Sequence, residues 1–275
     1  MSATVKKWKH YATGRYGQVH IHSAKPTDAR SVTHPPLICF HPSPTSGEMF
    51  RDLQAVLASD RIVHCPDTPG FGNSDGPTTK PTMADYGGGL ADALLDMGFS
   101  AKNKADIFGF HTGSLCAVEV AVQHPEIIRR VVLSGVPHYT DEERAKQRQG
   151  IAGGYPMFTD PAYVGRMYQR LVIEGRDAGD LEQRYYRFVN RIKAGPNGWW
   201  GPDAVFSMDT GAQLPKLKMS VLLIAFNEMM LQPTRDAAKI IPNVRLVEML
   251  DQPMFGFITA PAKVATEIRS FLDVA

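Results

Sequence analysis

The residues able to do chemistry fall in a few short segments. His111 sits in Asp106-Ile-Phe-Gly-Phe-His-Thr-Gly-Ser114, with a glycine two residues away on either side. Apolar Ile107-Phe108 precede this segment and a nearly apolar stretch, Leu115 to Val122, follows it. That pattern predicts a strand, a tight turn and a buried helix, with His111 held at the turn. An imidazole changes protonation near neutral pH, so a positioned one can act as general base. His41 heads Cys39-Phe-His-Pro-Ser-Pro-Thr-Ser-Gly47, another loop after an apolar run. Glu228 is the carboxylate of Ala225-Phe-Asn-Glu-Met-Met-Leu231, just past the strongest apolar run, Val221 to Phe226. We take His111 as a catalytic candidate. A packing role for His111, or joint metal ligation with His41, are the alternatives; no metal or other cofactor is assigned.

Elements must hold these residues in place. Gln18 to His22 alternates like a half-buried strand, and short apolar runs follow at Leu37–Phe40, Ile62–Cys65, Asp106–Phe108, Val131–Leu133, Val221–Phe226 and Val244–Leu250. Helical periods lie between several of them, at Met49–Ala58, Leu90–Met97 and Leu115–Val122. Pro261 opens a last helix of about 262–272, in the N-terminal position proline favours. Strands apolar on both faces and alternating with helices imply a mostly parallel central sheet flanked by helices, the α/β class. The rhythm breaks between His138 and Leu214, where charged helical stretches (141–149 and 162–190) precede Gly195-Pro-Asn-Gly-Trp-Trp-Gly-Pro202. A core of 1–137 plus 215–275 is therefore expected, with 138–214 as a helical lid over the sheet's carboxyl edge. Gly87-Gly-Gly89 interrupts a helical pattern, and close packing against a neighbour would explain it.

Four of these segments, in order, resemble the α/β-hydrolase superfamily. The His41 loop resembles that family's oxyanion loop, and Asp67, Gly70, Gly72 and Ser74 match its Asp-x-x-Gly-x-Gly-x-Ser turn. Gly109 and Gly113 match the glycines of its G-x-S-x-G nucleophile elbow, and the tail from Val221 to the last helix completes the pattern. The resemblance implies a hydrolase fold, an oxyanion hole from the Ser43 and Thr112 amides, and His41 and Glu228 as catalytic candidates beside His111. Pro42 has no N–H to give. It also exposes departures. His111 stands in the place of the nucleophilic serine, and Met254 or Phe255 stands where the base histidine belongs. Every histidine of the chain lies at or before His138, so nothing downstream can replace it. Without both serine and histidine the Ser–His–acid mechanism is excluded.

The expected function is an enzyme acting on a small, apolar or aromatic carbonyl or ester compound, with His111 as general base. The reaction is hydrolysis or a cofactor-free lyase, decarboxylase or isomerase step. Met254, Phe255 and Trp199 are expected to line the pocket, the alternative for Trp199 being to pack the insertion onto the core, with Ser43 and Thr112 polarising the substrate. The alternative is a non-catalytic small-molecule binding protein on a degenerate hydrolase fold; fold alone does not decide. Asp67, Ser74 and Asp75 are expected to brace their turn, and the remaining histidines to face solvent or sit in turns.

Composition narrows the partners. The 275 residues hold 30 Lys+Arg against 28 Asp+Glu, a net charge of +2, without the basic stripe of a phosphate-binding nucleic-acid protein. No apolar run reaches the ~20 residues of a membrane span. Cys39, Cys65 and Cys116 stand far apart, without the spacing of a zinc cluster and consistent with a reducing compartment. A cytoplasmic location and a small-molecule substrate are expected, with no nucleic acid and no membrane; the oligomeric state is left open.

Overall fold

The computed structural model describes residues 4–175 and 179–274. Eight strands form one sheet: β1 (Val5–Gly14), β2 (Gly17–Pro26), β3 (Leu37–Phe40), β4 (Val63–Pro66), β5 (Ala105–Phe110), β6 (Ile128–Ser134), β7 (Val221–Asn227) and β8 (Val244–Pro253). Their spatial order is β1-β2-β4-β3-β5-β6-β7-β8. β1 and β2 run antiparallel to their neighbours, and the rest of the sheet is parallel. The strands β3, β4 and β5 are buried along their whole length because helices cover both faces.

The helices are α1 (Arg51–Leu57), α2 (Met83–Asp96), α3 (Thr112–Gln123), α4 (Asp141–Ile151), α5 (Pro161–Tyr168), α6 (Leu181–Lys193), α7 (Trp200–Ser207), α8 (Thr210–Gln213), α9 (Leu231–Ala238), α10 (Gly256–Thr259) and α11 (Pro261–Leu272). One core layer packs α2 and α3 on the sheet through residues such as Tyr86, Leu90, Leu115 and Val118. The other packs α1 and α11 through Leu53, Leu57, Val264 and Ile268. The triple glycine has its packing reason: a Cβ on Gly87 would strike the Glu119 side chain of α3, so α2 and α3 approach there as closely as backbone allows.

Several expectations need correction. β1 carries no apolar run and is absent from the sequence reading; it is an edge strand with Lys6, Lys7 and Lys9, the kind of charge that protects an edge from further pairing. The helix expected at 162–190 is two helices, α5 and α6. A wider-wound turn, Gln169–Ile173, extends α5, and Gly175 and Gly179 lie in the break, whose residues 176–178 fall outside the described part. α2 begins at Met83, about two turns before its apolar period becomes visible, on a Thr82–Asp85 capping box.

Candidate active site

The strand order decides which loops meet. β5 lies between β3 and β6, with Phe40 opposite Gly109 and Phe110 opposite Ser134. Consequently the loops after β3, β5, β6 and β7 emerge side by side at the carboxyl edge, where open α/β sheets place their ligands. They carry Ser43, His111, Gly135 and Glu228 respectively.

His111 links β5 to α3 at φ 50° and ψ −117°, a conformation that costs a non-glycine residue ~1–3 kcal/mol. Its surroundings impose it. The His111 N–H donates to the Ser134 carbonyl at 3.0 Å, and the His111 carbonyl accepts from the Ser114 N–H at 2.8 Å and from Ser114 Oγ at 2.6 Å. Both flanking glycines are needed. A Cβ on Gly109 would lie 2.7 Å from Ser114 Cα, and one on Gly113 would lie 2.8 Å from the His41 carbonyl oxygen.

The imidazole stacks on Phe110, with ring centroids 4.0 Å apart and planes 24° apart. Its Nε2 lies 2.9 Å from Glu228 Oε1 and 3.0 Å from Oε2. An ionised carboxylate only accepts, so this pairing places the ring proton on Nε2 and leaves Nδ1 unprotonated in the neutral ring. The Glu228 side chain is 2% exposed and the His111 side chain 18%. Glu228 must reach past the end of β6, and two strand spacings amount to ~10 Å. Gly135 opens that path: it takes φ +60°, and a Cβ there would sit 2.7 Å from both His111 Nε2 and Glu228 Oε1. Sequence reading missed Gly135. Its signal is a glycine directly after an apolar strand, which is also an ordinary turn signal.

A cavity of about 110 Å³ opens beside His111. Its walls include Pro42, Ser43, Pro44 and Thr45 from the β3 loop, and Met254 and Phe255 after β8. Leu171, Arg187 and Arg191 of the helical insertion close another side. Thr112 is the first residue of α3, so its N–H has no acceptor within the helix. Ser43 Oγ is buried without a partner and faces α7, where a Cβ on Gly201 would come within 2.5 Å of it. Any polar contribution from Ser43 to the cavity is therefore its backbone N–H.

Two expected site residues lie elsewhere. His41 is fully buried, donates from Nδ1 to the Pro42 carbonyl at 2.9 Å, and accepts the Thr68 N–H on Nε2 at 2.9 Å. With both nitrogens engaged by backbone it is neutral, and burial pushes its pKa below the ordinary value; it pins the loop after β3 to the turn after β4. Trp199 does not line the cavity. It stands between Lys80, whose Nζ lies 5.1 Å above its ring, and Gly154. Asp67 braces its turn by accepting the Gly47 N–H at 2.7 Å, the Asn73 N–H at 2.9 Å and His20 Nδ1 at 2.9 Å. Burial pushes its carboxyl upward, but the side-chain contacts with His20, at 2.9 Å, and His22, at 3.6 Å, outweigh that and hold it below the carboxylate range. Ser74 and Asp75 accept the His20 and Gln18 amides. His20 and His64, expected at the surface or in turns, are buried.

A sharp turn after the fifth strand, an acid after the seventh and a cavity-lining loop after the third are the arrangement of the hydrolase-fold class. The model of the alpha/beta hydrolase fold family matches residues 35–193, and the chain belongs to that family. Over 107 residues it is 34% identical to 2-hydroxymuconate semialdehyde hydrolase of Pseudomonas sp. (strain CF600), covering 36% of each chain. It is 35% identical over 98 residues to the enzyme of that name from Pseudomonas putida, covering 34% of this chain and 31% of that one. The chain thus matches about a third of the length of these curated relatives. Among solved structures, a Thermogutta terrifontis esterase superposes with a TM-score of 0.74 over 98% of both chains at 19% identity. The enol-lactonase of Burkholderia xenovorans LB400 gives 0.72 at 20% identity, over 96% of this chain and all of that one. At these identities the likeness shows the fold. No described helix is long and apolar enough to cross a membrane.

Proposed function

We propose that the protein hydrolyses a small carbonyl or ester compound, with His111 as general base and Glu228 as its orienting carboxylate. The observation that carries this reading is the His111–Glu228 pair at 2.9 Å on the edge of the cavity. With Nε2–H committed to Glu228, Nδ1 is free to take a proton from water. The hydroxide so formed attacks the carbonyl carbon, the carbonyl oxygen gains the negative charge, and the Ser43 and Thr112 amides are the donors available to hold it. The imidazolium, stabilised by Glu228, then returns its proton to the leaving group. The segment 138–214 serves as a lid in this reading, because Leu171, Arg187 and Arg191 wall the same cavity as His111. A volume of about 110 Å³ restricts the substrate to a small molecule, well below the ~300–1,000 Å³ of pockets for drug-sized ligands.

The names of its relatives, a semialdehyde hydrolase and an enol-lactonase, support carbonyl or lactone chemistry. Lyase, decarboxylase or isomerase steps would use the same base and the same oxyanion donors. The test is a panel of small aryl esters, enol lactones and conjugated carbonyl compounds turned over by the wild type and by His111→Ala. Turnover that needs the imidazole supports the reading, and undiminished turnover without it overturns the reading.

A further inference from the structure

The cavity wall opposite the elbow is cationic. Arg187 lies over the Phe255 ring with its guanidinium carbon 4.4 Å from the centroid. Met254 and Phe255 occupy the loop after β8 where the family pattern has its base histidine, so a guanidinium now hangs over that loop. One helical turn further along α6, Arg191 stands over Tyr155 at 5.0 Å, with its Nε buried and unpartnered. Among the described residues neither arginine is paired with a carboxylate. The acids that line a cleft with Arg187 are Glu48 and Asp52, neither within ion-pair distance of it; Asp52 faces Arg51 at 3.5 Å and accepts from Gln183. Burial, and then the charges of Arg191 and Arg170, pull Arg187 down to about 10, still cationic at neutral pH. Two partly buried cations in one small wall repel each other and have lost water. An anion between them would relieve both costs, and the fork of a guanidinium suits a carboxylate.

We infer that Arg187 and Arg191 form an anion subsite that holds a carboxylate of the substrate while its carbonyl faces His111. The substrate class is then a small carboxylate-bearing ester, lactone or ketone, in place of a wholly apolar one. This deepens the reading of the same cavity as a carbonyl site, and it can be tested without any turnover. The probes are acetate, sorbate, benzoate and cinnamate, each titrated calorimetrically against its neutral amide at low salt. At least one acid should bind the wild type tenfold or more tighter than its amide. Arg187→Met and Arg191→Met should each weaken that acid about tenfold and leave its amide unchanged, and His111→Ala should keep the acid preference. Should a methionine variant fail to fold, Arg187→Lys and Arg191→Lys replace it; they keep the charge but lose the fork, and should weaken the acid less. The inference is overturned if no acid outbinds its amide, or if the preference survives loss of the arginines. Undiminished turnover by His111→Ala would instead count against the general-base reading and leave this result standing.

Discussion

Replacing Gly135 by alanine probes the contact that brings His111 and Glu228 together. The position has φ +60°, and an L residue in that region costs ~1–2 kcal/mol. The added Cβ would also collide with His111 Cδ2 and sit 2.7 Å from Glu228 Oε1. Overpacking of that kind adds ~1–3 kcal/mol. Gly135→Ala should therefore lose ~2–5 kcal/mol in urea unfolding, the sum of those two costs. The two parts separate in a double-mutant cycle. In a His111→Ala background the ring is gone and Glu228 can swing aside, so the same substitution should cost only the backbone part, ~1–2 kcal/mol. An equal cost in both backgrounds would refute the claim that Gly135 is empty to make room for the pair.

Glu228→Gln keeps the shape and an acceptor but removes the charge that stabilises the imidazolium; a hydrogen bond to a charged group is worth ~1.5–3 kcal/mol, so turnover should fall about 10–100-fold with an unchanged melting temperature. Unaltered turnover would release Glu228 from its role. His64, bonded through Nδ1 to Ser23 Oγ at 2.7 Å, is pushed down to about 4 from its ordinary 6.5 by burial and then by His10. Below pH ~6.5 the unfolded chain takes up a proton that the fold refuses until about pH 4, so stability is full above 6.5 and falls as pH falls, by ~3 kcal/mol at most. Urea unfolding between pH 7 and 4.5 should be flatter for His64→Gln, and an identical pH dependence would contradict this.

The legible part of the fold was what burial writes into sequence. Runs such as Val221–Phe226 are apolar because both faces of their strands are covered, and the glycine-flanked turn at His111 is readable because no side chain fits at 109 or 113. β1 was not legible, since an edge strand with lysines looks like solvated chain. Within the site, His111 and Glu228 could be named but not joined, because their contact depends on the order of strands far apart in sequence. Arg187 and Arg191 were hidden for a different reason. On a charged amphipathic helix they read as surface residues, and only the way α6 packs over the elbow turns them toward the cavity. The apolar wall expected from Met254 and Phe255 exists, but the arginines share it.

The most direct measurement is turnover by His111→Ala on a substrate found in the panel, paired with its melting temperature. The general-base reading predicts a fall of about 10²–10⁴-fold in kcat, the usual contribution of one acid–base group. Melting should fall only modestly, by the lost Phe110 stacking and Glu228 contact, since the elbow is set by Gly109 and Gly113 and an alanine still fits it. Full turnover in the variant, or a chain that no longer folds, would make His111 a packing residue and contradict the account.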